Sequence, residues 1–308
     1  MNPPIVVILG PTASGKTALS LKLAIALEGE IICADSMQVY RGMDIGTAKV
    51  SEEERAKVPH HLVDILSPDQ SYSVMDFIQL AHRCVEEILG RKKNVFLVGG
   101  TALYIKRFLE GIESGPEANW EFRRHLQQQA RAEGPFYLYH RLCCLAPERA
   151  SKLHPKDVRR VIRALEVLEF SGSEGSTFED IPKKYSFFLV GLDWPREELY
   201  RRIDRRVEEM FQQGLVEEVR RLQRWGFSRQ ARQALGYKEV LEALEGRYSL
   251  EEAKRRIQRN TRHFAKRQLS WFRKFQGVHW YRLEGEEDLE RVFLDVQKEV
   301  RRVFGKGW

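Results

Sequence analysis

Short, almost wholly apolar runs alternate with longer stretches of helical periodicity through the first third of the chain. Ile5 to Leu9, Ile31 to Ala34 and Val95 to Val98 have the pattern of parallel strands buried on both faces. Between them, Lys16 to Leu27 and Val74 to Leu89 read as helices, the second with Ser73 as its N-cap. This alternation predicts an α/β fold, a parallel sheet flanked by helices. After Gly111 the texture becomes charged, glutamine-rich and helix-favouring through Glu121 to Arg131 and Asp157 to Phe170, closing in a Ser171-Gly172-Ser173-Glu174-Gly175 turn. Phe187 to Gly191 is again a buried-strand pattern. Long helices follow beyond Arg196, then a last strand over His279 to Leu283 and a helix over Glu287 to Phe304. The expected organisation is a core of residues 1–112 and 186–308, with a helical C-terminal region, and an inserted all-helical subdomain over 113–185.

The chain has 308 residues and a 43% hydrophobic content, enough to bury a substantial core. No run approaches the roughly 20 apolar residues that cross a bilayer. The opening Met1-Asn2-Pro3-Pro4 leads straight into a strand and not into a signal peptide, so a cytoplasmic protein without membrane contact is expected. Cys33, Cys84, Cys143 and Cys144 show no CxxC spacing and read as packing residues. The net charge of +7 matters less than its distribution. From Ala253 to Leu283 no acid occurs, while Lys254, Arg255, Arg256, Arg259, Arg262, Lys266, Arg267, Arg273 and Lys274 crowd the stretch. On a helical wheel Ile257, Phe264 and Trp271 form an apolar stripe, with Arg255, Arg259, Arg262, Lys266 and Arg273 near the opposite side. A solvated basic helix back would look the same. A second cluster, Arg159, Arg160 and Arg163, gives an extended polyanion two places to bind.

The strongest chemical signal is the run Gly10-Pro11-Thr12-Ala13-Ser14-Gly15-Lys16-Thr17 between the first strand and the first helix. Glycines at these places let backbone N–H groups curl inward onto phosphate oxygens; Lys16 adds charge and Thr17 offers a hydroxyl to Mg2+. The fold is therefore expected to be P-loop NTPase-like. ATP-hydrolysing P-loops usually have a second strand ending in a metal-holding aspartate. Here Val95 to Val98 ends in Gly99-Gly100-Thr101, without the acid. An acid does lie at another strand's carboxyl end: Ile31 to Ala34 delivers Asp35 and Ser36 to the edge where open α/β sheets form their crevice. Asp35 is the leading catalytic residue, with helix-capping or metal-holding as its plainer alternative. His60-His61 is tempting as a metal pair, but adjacent side chains diverge and no third ligand follows; loop packing is expected.

Together these motifs resemble the tRNA dimethylallyltransferase family. The likeness runs almost end to end, through the P-loop, Asp35 to Lys49 (DSMQVYRGMDIGTAK), Pro59 to Ile65 (PHHLVDI), Gly99 to Lys106 (GGTALYIK), Asp157 to Val167 (DVRRVIRALEV), Gly236 to Glu239 (GYKE) and Thr261 to Arg273 (TRHFAKRQLSWFR). The P-loop is shared by many NTPases; the rest are distinctive in combination. The resemblance implies transfer of a dimethylallyl group from dimethylallyl diphosphate to the N6 amine of adenosine 37 in the tRNA anticodon stem-loop. It implies that residues Gly10 to Thr17 hold the diphosphate with Mg2+, and that Asp35 serves the amine with Ser36, Met37 and Gln38 beside the base. Thr101 would face the bridging oxygen and Arg205 the outer charge of the leaving group. Arg123 and the stretch Arg159, Arg160, Val161, Ile162 and Arg163 would touch tRNA. Trp120, where the family often has proline, and Cys143-Cys144 depart from the pattern and put the subdomain's contacts in doubt. Nothing encodes an obligate interface, so a monomer is expected. A small-metabolite kinase, a prenyltransferase for free AMP or ADP, and a non-catalytic RNA-binding protein are the competing readings; the basic elements speak against the first two.

Overall fold

The computed structural model describes residues 3–112, 115–116, 118–170 and 181–305. The chain divides into two compact units, residues 1–111 with 180–308, and residues 112–179. The 171–175 turn lies outside the described residues.

In the larger unit, strands β1 (Pro4–Leu9), β2 (Gly29–Cys33), β3 (His60–His61) and β4 (Asn94–Gly99) are separated by helices α1 (Lys16–Ala26), α2 (Glu52–Lys57) and α3 (Val74–Gly90), and α4 (Ala102–Glu110) follows β4. The starts are encoded locally. Ser51 and Ser73 close capping boxes with Glu54 and Asp76, and Gly15, at φ 91°, turns the chain from the P-loop into α1.

The smaller unit contains α5 (Trp120–Ala132), α6 (Pro135–Leu145), α7 (Pro147–Ala150) and α8 (Val158–Phe170). They close on Leu126, Leu138, Leu142, Ala150, Val161, Ile162 and Leu165. Back in the larger unit, the chain continues through β5 (Ser186–Asp193), α9 (Arg196–Gln212), α10 (Leu215–Gln223), α11 (Tyr237–Leu244), α12 (Leu250–Phe272), β6 (Val278–Arg282) and α13 (Asp288–Phe304).

The six strands among the described residues are all parallel, in the order β3-β2-β4-β1-β5-β6. Val6, Ile8, Phe96, Val98, Val190 and Leu192 pack with Leu19, Leu23, Val292 and Val296 from the flanking helices. The five expected strands are present. The sixth, β3, is the His60-His61 pair, which pairs with Ile31 and Ile32 at the sheet edge and is not a loop. It escapes hydropathy because its residues are polar. His61 Nε2 sits 2.7 Å from Glu30 Oε2, and Arg91 grips both oxygens of that glutamate.

Candidate active site

Because β2, β4 and β1 are neighbours, the loops that leave their carboxyl ends emerge side by side. Asp35 and Ser36 follow β2, Gly99-Gly100-Thr101 closes β4, and the P-loop follows β1. Strands lie about 4.8 Å apart, so the outer two of these loops begin roughly 10 Å from one another, with Thr101 between. This is the crevice position expected of an open α/β sheet.

The P-loop is curled as its sequence predicts. Ala13 and Gly15 take left-handed backbone angles, φ 62° and 91°, which turn successive N–H groups into a concave anion cradle. Lys16 arches over it, its Nζ 2.7 Å from the Pro11 carbonyl. Burial and the Arg206 guanidinium bring its pKa down to about 8, and a bound anion would raise it again. Thr17 is exposed. The loop's back is braced: Trp194 Nε1 donates to the Ser14 carbonyl at 3.0 Å, and Arg202, lying over the Trp194 ring, donates to the Ala13 carbonyl at 2.9 Å.

A residue that the sequence did not expose joins this loop to the next. Gln268, buried on α12, accepts from Thr12 N at 2.9 Å and donates to the Gly100 carbonyl at 2.8 Å. Gly100 is glycine because a Cβ there would stand 2.5 Å from the Gln268 amide nitrogen, and Gly99 because its Cβ would stand 2.1 Å from the Ala34 carbonyl oxygen. Of the expected stripe Ile257, Phe264 and Trp271, only Ile257 is fully buried on α12, and Phe264 is half-buried. Ala253, Ile257, Ala265, Gln268 and Phe272 are buried, and Trp271 is exposed. A seven-residue repeat drifts about 20° per heptad on a straight helix, which carries Trp271 outward.

At β2's end, Asp35 Oδ1 accepts from Met37 N at 2.8 Å and Gln38 N at 3.3 Å. No helix begins here, so the contact is an Asx-type turn and not the helix cap of the plainer alternative; it occupies one oxygen, and no hydrogen bond reaches Oδ2 among the described residues. Ser36 N donates to Thr101 Oγ1 at 3.1 Å, tying the hydroxyl of Thr101 to Asp35's loop. Gln38 turns away from Asp35, donating to the carbonyls of Thr47 and Ala48 at 3.3 and 3.4 Å.

Arg205 is not beside these groups. It is exposed and paired with Glu286, Nη2 to Oε1 2.8 Å. The arginine at the P-loop is its neighbour Arg206, with Nη1 3.4 Å from Thr12 Oγ1 and Nη2 3.5 Å from the Thr47 carbonyl. Burial opposes the Arg206 charge and the Asp35 carboxylate supports it. One residue along a helix is a turn of about 100°, so only one of the pair can face inward. A cavity of about 470 Å³ opens beside Arg206, lined in part by Ala48, Lys49, Val50, Arg55 and Met210.

The expected RNA contacts of the helical unit need correction. Val161 and Ile162 belong to its core, 0% and 3% exposed. Arg123 forms a bidentate pair with the fully buried Glu166, and Arg163 pairs with the same carboxylate. Arg123 thus ties α5 to α8, while Arg163 reinforces the same carboxylate from one turn away on α8 itself. Arg160 pairs with Asp157 at 3.3 Å, and Arg159 is exposed without an ion pair among the described residues. On α12, Lys254 pairs with Glu208, Arg256 with Glu252 and Arg262 with Asp204, and just past its end Arg273 pairs with Asp193. Arg255, Arg259, Lys266 and Lys274 are exposed and free of ion pairs among the described residues.

No helix among the described residues is long and apolar enough to cross a membrane. A family model described as IPP transferase matches residues 38–275. The chain is 43% identical over 310 residues to a tRNA dimethylallyltransferase of Alkaliphilus oremlandii, covering 99% of each. It is 47% identical over 282 residues to one of Geobacter sulfurreducens, covering 90% of this chain and 91% of the relative. Among solved structures, a tRNA isopentenylpyrophosphate transferase from Bacillus halodurans superposes with a TM-score of 0.71 at 40% identity, over 97% of this chain and 98% of that one. A eukaryotic dimethylallyltransferase described as acting on tRNA superposes with a TM-score of 0.78 at 27% identity, over 97% of this chain and 78% of its own.

Proposed function

The chain belongs to the IPP transferase family, and we infer from that premise and from the crevice that it moves a dimethylallyl group from dimethylallyl diphosphate to the N6 amine of adenosine 37, beside the tRNA anticodon. It is a prenyltransferase that modifies tRNA. The observation that carries the finer reading is the adjacency of three strand ends, which sets an anion cradle, a hydroxyl and a carboxylate in a row.

Lys16, Arg206 and the P-loop amides of residues 13–17 are the groups we assign to the diphosphate; Pro11 has no N–H and that of Thr12 is taken by Gln268. As the C1–O bond of the allylic carbon breaks, charge gathers on the departing oxygens, and cations fixed beforehand stabilise that charge most where it develops. Thr101 lies between cradle and carboxylate, which suits a hydroxyl that donates to the bridging oxygen. The adenine amine is a weak nucleophile because its lone pair is delocalised into the ring. Asp35 Oδ2 is the acceptor we assign to one amine hydrogen, orienting the nitrogen and taking the proton as the N6–C1 bond forms. An adenine swung into the crevice would also keep water from the allylic carbon.

No three His, Cys, Asp or Glu side chains gather to hold a metal among the described residues. Mg2+ keeps few protein ligands when it rides on phosphates, and the Thr17 hydroxyl, exposed at the mouth of the cradle, is a hard oxygen donor of the right kind. When bound, Mg2+ would neutralise part of the diphosphate charge. We take the working unit to be a monomer.

Product analysis tests the reading. Unmodified tRNA with dimethylallyl diphosphate and Mg2+ should yield prenylated adenosine and free diphosphate. Consumption of ATP, or prenylation of AMP in preference to tRNA, would overturn it.

A further inference from the structure

Between Asp44 and Lys49 the chain forms a loop whose carbonyls hold two of the site's side chains. Gln38 Nε2 donates to the carbonyls of Thr47 and Ala48, and Arg206 Nη2 to that of Thr47. Thr47 Oγ1 and Lys49 Nζ brace the loop from within, by bonds to the Met43 and Tyr40 carbonyls, and its first three amides are gathered by one carboxylate. Glu218, on α10 and 2% exposed, accepts from three successive backbone N–H groups: Asp44 at 3.1 Å and Ile45 at 2.9 Å on Oε2, and Gly46 at 3.2 Å on Oε1. The Tyr237 hydroxyl, on α11, donates to Oε1 at 2.5 Å. Burial and the neighbouring carboxylate push the Tyr237 pKa far up, which keeps the hydroxyl a donor. The Tyr237 ring lies so close to the loop that a Cβ on Gly46 would meet it at 2.4 Å. Four donors, none from a cationic side chain, converge on Glu218. Three consecutive inward-pointing amides form the kind of concavity that ordinarily takes an external anion; here the chain fills it with its own.

We propose that Glu218 is a positioning residue for prenyl transfer: by clamping the amides of residues 44–46 it sets the Thr47 and Ala48 carbonyls, and through them the placement of Arg206 at the leaving group and of the Gln38 side chain, whose backbone N–H holds Asp35 Oδ1. One peptide unit separates the last clamped amide, Gly46 N–H, from the Thr47 carbonyl and two separate it from that of Ala48, so little slack intervenes. Glu218 is far from substrate in bonding terms, since its oxygens are taken up by the loop and Tyr237. Its effect is on geometry, where a displacement of about 1 Å can cost a hundredfold in rate. The inference rests on the assignment of Arg206 and Gln38 to the site.

The test is single-turnover prenyl transfer on tRNA, measured with tRNA affinity and thermal stability for Glu218→Gln, alone and in a Gln38→Ala/Arg206→Lys background. Glu218→Gln keeps the shape but leaves one carbonyl oxygen for four donors. It should slow transfer about tenfold with tRNA affinity within about twofold, and in the background variant it should add less than about threefold, because its route to the chemistry is already cut. Tyr237→Phe, a milder change that removes one donor, should slow transfer about threefold and lose that effect in the same background; it carries the test if Glu218→Gln does not fold. A wild-type rate in both variants, or an undiminished effect in the background variant, would overturn the proposal. If Gln38→Ala/Arg206→Lys itself reacts at the wild-type rate, the underlying assignment fails and the proposal falls with it.

Discussion

Arg205 and Arg206 stand next to each other in the chain and face different worlds. Arg206 touches the P-loop threonine and the Thr47 carbonyl, whereas Arg205 reaches Glu286 at the surface. Arg206→Ala should therefore lower kcat/KM about a hundredfold, near 3 kcal/mol of transition-state stabilisation. Arg205→Ala should stay within about threefold; steady-state kinetics with both substrates checks the pair. The same separation applies to the arginines of the helical unit. Removing Arg123 strips a bidentate partner from a carboxylate with no exposure, a change of the kind that costs about 3 kcal/mol. Arg123→Ala should lower the melting temperature, and Arg159→Ala should leave it unchanged while weakening tRNA binding. None of these distinctions was legible from residue type. The motif around Arg205 and Arg206 locates the helix, but which arginine faces inward depends on helix phase, a fact of packing. Asp35 was legible because a strand end and an acid are both local signals.

At the scale of elements, strands were readable where their residues were apolar and unreadable at β3, where two histidines carry the pairing. Helix α12 shows the limit of periodicity. Its buried face includes Gln268, and a polar side chain placed inward for its hydrogen bonds counts against burial on any hydropathy scale. Its outer face keeps the free cations. Charge reversal at Arg255, Arg259 and Lys266 together should weaken tRNA binding and flatten its dependence on salt, by about one unit of log–log slope for each phosphate no longer neutralised; a salt titration of binding measures it. Helices α5 and α8 share Glu166. Burial raises its pKa, but the hydrogen bonds from Arg123, Arg163 and Asn119 N outweigh that, leaving it below the usual carboxylate value. Its contribution is thus present above the unfolded-state pKa of about 4.3 and is lost as pH falls through the depressed folded value. Acid unfolding followed by circular dichroism should show this loss below about pH 4, and Glu166→Gln should remove that part of the pH dependence.

For the molecule as a whole, strand order is what turns three separate sequence motifs into one site. Asp35, Thr101 and the P-loop are dispersed along the chain and meet because β2, β4 and β1 are neighbours; an apolar run announces a strand but not its place in the sheet. The P-loop alone reads as a nucleotide site. Its company redefines it: a turn of two glycines and a threonine where a metal-binding acid would stand, and a carboxylate with one unengaged oxygen two strands away. In the proposed division of labour the carboxylate would work on the acceptor amine and the cradle on the leaving group. Single-turnover prenyl transfer by Asp35→Ala, measured beside its tRNA affinity, separates those two roles. The rate should fall by about a hundredfold or more with tRNA affinity within about twofold; a wild-type rate, or a loss explained wholly by weaker tRNA binding, would contradict the assignment.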